Sequence, residues 1–178
     1  MTAKGHVTLA SLVTLLIIDN APPYFVNEVD ISLKAMFYFS ALVGSLFPDI
    51  DESKSYIGRR LGVISLLVSS IFKHRTFTHY LIFPIILYFV LVGFCENDLA
   101  LVSLYGFVVG ILLHDIGDML TKGGIKGFFF PFFANTQIWL LPKVLRFYTA
   151  STNEYIIVSI LFVLNLILLV NILVRGMF

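Results

Sequence analysis

Long apolar runs alternate with short polar connections along this chain. The runs are Ala3–Ile18, Ile31–Phe47, Phe77–Phe94, Leu99–Ile116 and Tyr155–Val174. Helices of roughly 17–25 apolar residues cross a bilayer, so the pattern predicts about five membrane helices. The first run is marginal. At about 1.5 Å per residue it spans about 24 Å, against a hydrocarbon core of about 30 Å. Bilayer thinning or burial against other helices accommodates that shortfall. A cleaved leader is the rival reading, but Ile18-Asp19-Asn20-Ala21-Pro22 is a poor cleavage site, so the run is expected to stay. Two stretches break the pattern. Arg60–Phe72 is apolar but too short to span, and reads as a short amphipathic or buried helix. Gly123–Pro142 holds Phe128–Phe133, Trp139 and two prolines, Pro131 and Pro142. Proline breaks helices and aromatics suit the membrane interface, so this is expected to be a re-entrant or surface-lying aromatic segment, with an irregular sixth span as the alternative.

Composition turns this pattern into a solvent assignment. The 178 residues are 58% hydrophobic and only 13% charged, with a mean hydropathy of +0.94. A small soluble domain cannot bury such a surplus. The expected fold is therefore an all-α, polytopic membrane bundle. It forms a single domain over 1–178, with a motif-bearing core over 1–142 and a C-terminal membrane helix over 153–175. The formal net charge is +1, so no nucleic-acid partner is expected. One cysteine, Cys95, excludes an internal disulfide and a thiolate zinc cage. Nothing in the chain sets an oligomeric state.

Charge then sets the orientation. With five crossings, Lys4, Lys54, Arg59, Arg60, Lys73, Arg75, Lys122, Lys126, Lys143 and Arg146 fall on one side, which is 10 of the 12 basic residues. Only Lys34 and Arg175 fall on the other. The positive-inside rule makes the basic side cytoplasmic, for a multi-pass protein of the cell (inner) membrane.

On this topology all four histidines reach the basic face. His6 opens the first run. Asp49 and Asp51 close the second, His74 and His79 open the third, and His114, Asp115 and Asp118 close the fourth. His114 and Asp118 are one helical turn apart and face the same way, so they can share one metal or bridge two. Asp49 and Asp51 point the same way in an extended segment. His74 and His79 converge only if His74 sits in a loop and His79 in a first helical turn. Nitrogen and carboxylate donors without thiolate suit an open site for Zn²⁺, Mn²⁺ or Fe²⁺. Asp115 reads as a supporting or surface carboxylate. Most of the surrounding cations are explained by topology and anionic lipid. Arg75 differs, because it lies between two candidate ligands and suits phosphate recognition.

Four segments together resemble the LexA-regulated, membrane-bound metal-dependent hydrolases, the YdjM-like family. They are His6; Pro48-Asp49-Ile50-Asp51; His74-Arg75-Thr76-Phe77-Thr78-His79; and His114-Asp115-Ile116-Gly117-Asp118 followed by Gly123-Gly124-Ile125 and Pro131. That family is distantly similar to zinc-dependent phospholipase C and the P1-type nucleases. The resemblance implies His114 and Asp118 as ligands, with roles for His6, one acid of Asp49/Asp51 and one of His74/His79. The soluble enzymes carry a second His-x-x-x-Asp element that this chain lacks, so one or two ions are expected rather than three.

The leading expectation is a metal-dependent phosphoesterase acting on a lipid or lipid-linked phosphate at the cytoplasmic face. His6, Asp49, His74, His79, His114 and Asp118 would hold the metal. Asp49 or Asp51 would orient or deprotonate water, and Arg75 would meet the phosphate. Phe128–Phe133 would hold acyl chains or close the site. A transporter or proton or metal relay is a second class, and a membrane scaffold using the basic face a third. A relay would carry ionisable groups in mid-span, where Asn165 is the clearest polar side chain.

Overall fold

The computed structural model describes residues 1–20, 30–71 and 75–175. Seven helices carry these residues: α1 (Ala3–Asp19), α2 (Ile31–Gly44), α3 (Tyr56–Leu61), α4 (Val63–Ile71), α5 (Ile82–Val92), α6 (Asp98–Met119) and α7 (Thr152–Val174). Polar side chains start the long ones. Thr2 accepts from the Gly5 amide at 3.3 Å, Asn97 from Ala100 at 2.9 Å, and Ser151 from Glu154 at 3.4 Å. Each satisfies a backbone donor that a helix start leaves open.

Among the described residues, three segments are long and apolar enough to cross a membrane: Ile31–Asp51, Asp98–Met119 and Thr152–Val174. The protein is thus a helical membrane protein. Helix α1, at 17 residues, and α5, at 11, are shorter than a full crossing. Helices α1 and α7 run parallel. The Thr2 amide donates to Glu154 Oε1 at 2.6 Å, Asn165 Nδ2 donates to Thr8 O at 3.1 Å, and Arg175 pairs with Asp19 at 3.4 Å.

Helices α2 and α6 are also parallel, and their backbones nearly touch. A Cβ added at Gly106 would strike the Phe37 carbonyl oxygen, one at Gly110 that of Ala41, and one at Gly44 that of Phe107. A small residue every fourth position is how membrane helices approach closely, where lipid offers no hydrophobic drive to pack. The consequence lies at the ends of the pair: α2 finishes with Ser45 beside His114 of α6.

Irregular segments fill the face where α2 and α6 end. The third apolar run becomes helical only at Ile82, because Phe77–His79 forms a 3₁₀ turn, with the His79 amide bonded to Thr76 O at 2.9 Å. Arg60–Phe72 is not one helix. Gly62, at φ +45°, separates α3 from α4. The two short helices fasten a second 3₁₀ turn, Phe47–Asp51: Ser55 Oγ donates to Asp49 O at 2.8 Å and Ser65 Oγ to Ile50 O at 2.7 Å. The segment 123–142 lies at the surface. It pairs β1 (Ile125–Lys126) antiparallel with β2 (Gln137–Ile138), Ile125 opposite Ile138. Phe132, at its tip, is 86% exposed. The segment is tied down by Leu81 N to Phe128 O (2.9 Å) and Leu140 N to Met119 O (3.1 Å).

Gly110→Val should destabilise the protein by about 1–3 kcal/mol, because a carbonyl oxygen of α2 cannot swing away as a side chain would. Gly93→Ala, where an added Cβ meets nothing within 4 Å, should change little. Thermal unfolding of both variants in detergent checks this. Equal melting temperatures would remove the α2–α6 contact from its place in the fold.

Candidate metal centre

Asp118, the penultimate residue of α6 and 1% exposed, is the hub of the site face. The Met1 amino group pairs with its Oδ1. His6 Nε2 stands 3.4 Å from that same oxygen. On the other oxygen, Arg75 Nε lies at 3.0 Å and His79 Nε2 at 3.8 Å. Four groups from two segments distant in sequence, Met1–His6 and Arg75–His79, therefore meet on one carboxylate.

His114 sits one turn earlier on the same face, fully buried. Its Nδ1 is 2.7 Å from Ser45 O. A carbonyl only accepts, so Nδ1 carries the proton and Nε2 keeps its lone pair. That lone pair faces His79 Nε2 at 3.2 Å and Asp49 Oδ1 at 3.6 Å. The His6 ring stacks on His114, centroids 3.7 Å apart and 6° from parallel.

Two donor sets emerge: His6, His114 and Asp118, and Asp49, His79 and His114. Within each, one potential ligand atom per residue lies within 4.8 Å of the others. Both His6 nitrogens are buried with no hydrogen-bond partner among the described residues. A buried polar nitrogen left unpaired costs free energy, and a cation offsets that cost. The donor chemistry, with His6 Nδ1 orphaned and Nε2 facing only the Asp118 carboxylate, fits a divalent ion. His114 has only Nε2 to offer, so it can serve one ion.

Asp51 stands behind His79. Its Oδ2 lies 3.5 Å from His79 Nδ1, and accepts from Thr78 Oγ1 at 2.8 Å and the Arg75 amide at 3.0 Å. A carboxylate on the far nitrogen of a histidine fixes the ring and its tautomer. Arg75 adopts φ +61°, and its guanidinium reaches from Asp118 to Gly124 O, 3.3 Å from Nη1. A cleft of 480 Å³, lined by Met1, Lys4, Asp49, Lys54, Arg59 and Arg75 among others, opens onto this edge of the cluster.

Of the residues singled out from sequence, His6, Asp49, Asp51, Arg75, His79, His114 and Asp118 converge here. His74 lies outside the described residues. Asp115 is fully buried rather than at the surface, and neither of its oxygens has a hydrogen-bond partner among the described residues. Sequence reasoning passed over three contributors. Ser45 acts through its backbone, which carries no sequence signal. Thr78, between Arg75 and His79, holds Asp51 through its hydroxyl, and a threonine in a turn carries no signal of that role. Glu154 is fully buried and accepts from Thr2 N (2.6 Å), Thr2 Oγ1 (2.9 Å) and Ala150 N (2.6 Å). It anchors the start of α1 from 152 residues away, and only its first-turn position on α7 marked it.

The YdjM inner membrane protein family model matches residues 1–178 of the chain. An uncharacterized Bacillus subtilis protein, YvsG, is 35% identical over 120 residues, covering 67% of this chain and 69% of its own length. The inner membrane protein YdjM of Escherichia coli is 40% identical over 92 residues, which is 48% of this chain and 45% of that protein. No solved structure matches the chain. Helices of spanning length, and a family match over the whole sequence, make this chain a member of the YdjM inner membrane protein family.

Proposed function

We propose that this protein is a metal-dependent phosphoesterase of the inner membrane, acting on a lipid or lipid-linked phosphate at the cytoplasmic face. The observation that carries the reading is the meeting of His6, Asp49, His79, His114 and Asp118 in one buried cluster, with His6 Nδ1 lacking a hydrogen-bond partner among the described residues. Those five residues would hold the ion, Zn²⁺ by donor type, with Mn²⁺ or Fe²⁺ compatible. A bound ion of this kind supplies Lewis acidity toward a phosphoryl oxygen and makes water a better nucleophile.

The chain's own groups supply the rest. The Ser45 carbonyl holds His114 in the tautomer that presents Nε2. Asp51 steadies His79 through Nδ1, so it is a positioning residue. Asp49 is 18% exposed at the cleft and can orient water or take its proton. Arg75 is 24% exposed between Asp118 and the cleft, placed to neutralise charge growing on a phosphate. The concentration of ionisable groups at one end of the helices supports an enzyme over a relay, which needs such groups along a path through the bilayer.

His114→Ala and Asp118→Ala should each lose bound metal and hydrolysis while the protein still inserts. Arg75→Ala should keep its metal and lose about 10²–10³-fold in turnover of a phosphodiester. Asp51→Asn should weaken metal affinity by about 10–100-fold. Elemental analysis beside hydrolysis of a generic phosphodiester and a phospholipid reads all four. Full hydrolysis by metal-free His114→Ala would end the hydrolase reading in favour of a scaffold. Reporter fusions test the orientation. A fusion after Lys126 should report from the cytoplasm and one after Cys95 from outside. A cytoplasmic signal at Cys95 would overturn the five-crossing topology.

A further inference from the structure

Phe128–Phe133, expected to cradle acyl chains, lines neither the cleft described above nor the larger cavity beside it. That second cavity has a volume of 690 Å³ and lies between α1 and α7, walled by Val7, Leu46, Val158, Phe162 and Val163. Ala3, Lys4 and Tyr56 line both cavities, so the two adjoin at the start of α1. One is apolar. The other carries four cations, Lys4, Lys54, Arg59 and Arg75, against two acids, Asp49 and Glu52. Helix α7 leaves this flank to the bilayer: only 11% of its most apolar stretch is buried, and Phe162 and Val163 are more than half exposed. The combined shape is a slot entered sideways from the membrane, greasy along its length and cationic at its inner end. Each volume falls within the range of about 300–1,000 Å³ of ligand sites.

We propose that the joined cavities bind one anionic phospholipid. An acyl chain lies between α1 and α7, and the phosphate sits among Lys4, Arg59 and Arg75, beside Asp49. The charge balance selects this occupant. Arg75 is already matched by Asp118, but a neutral lipid would leave Lys4, Lys54 and Arg59 in excess over Asp49 and Glu52, and a second apolar helix would bring no anion to them. The proposal deepens the phosphoesterase reading by naming its substrate class. It rests on that reading for the reaction but not for the binding.

The test uses the full chain in detergent micelles and a phosphatidic acid carrying a photoreactive diazirine at mid-chain. Labelled peptides are mapped by mass spectrometry, with and without chelator. Labelling should concentrate on α1 near Val7 and α7 near Val158–Val163. Excess unlabelled phosphatidic acid should compete for it, and inorganic phosphate or phosphatidylcholine should not. Val158→Trp fills the slot and should cut labelling roughly tenfold, while leaving hydrolysis of a small soluble phosphodiester intact. Arg59→Gln, on the exposed mouth, should cut it roughly fivefold. Even labelling of all lipid-facing helices, unchanged in both variants, would overturn the proposal. So would competition by phosphatidylcholine as strong as by phosphatidic acid. Competition by inorganic phosphate would show a free-phosphate site and overturn the lipid assignment. Specific labelling of a protein that has neither metal nor hydrolysis would sustain the lipid site and sink the enzyme.

Discussion

A carboxylate 1% exposed at the end of a membrane helix, Asp118, sets the terms for the rest of this structure. Taking an ion out of water costs several kcal/mol even after relaxation, and only well-placed partners offset it. Here the partners are the Met1 amine, the Arg75 guanidinium, and the imidazoles of His6 and His79. Met1 and His6 come from the start of α1, and Arg75 and His79 from the turn before α5. Asp118 is therefore satisfied only when α1, α6 and the turn before α5 are assembled together.

That assembly is held from outside the cluster. The glycine contacts between α2 and α6 bring Ser45 to His114, which decides the imidazole tautomer. Glu154 holds the start of α1, and with it Met1 and His6. Ser55 and Ser65 pin the Phe47–Asp51 turn, which carries Asp49 and Asp51. The supporting groups are mostly backbone carbonyls and hydroxyls, while the charged groups face inward. This division gives a rigid donor set beside an open cationic cleft, the arrangement that a preorganised site requires.

The apolar runs were legible because the bilayer imposes a length. Runs at Ile31–Phe47, Leu99–Ile116 and Tyr155–Val174 became α2, α6 and α7 with ends shifted by a few residues. The third run misled, since its first residues are as apolar as a helix but are spent on the 3₁₀ turn that aims His79. Arg60–Phe72 hid a break at Gly62, whose positive φ no hydrophobic pattern reveals. The two-residue strands in the aromatic segment are too short to show alternation. At the site, the His114–Asp118 spacing was readable from helix geometry alone. The place of Asp51 behind His79 was not, because it depends on a contact between turns 28 residues apart. Nor was the parallel pairing of α1 with α7, which opens the lipid-facing slot.

The central claim is that the buried cluster holds a divalent cation. X-ray absorption at the metal edge, on protein purified without chelators, tests this most directly. The expected result is a stoichiometric metal with nitrogen and oxygen neighbours at about 2.0–2.2 Å and no sulfur. That signal should be lost in His114→Ala. Protein that carries no divalent metal after zinc, manganese or iron is supplied, or one whose metal persists in His114→Ala, would contradict the claim.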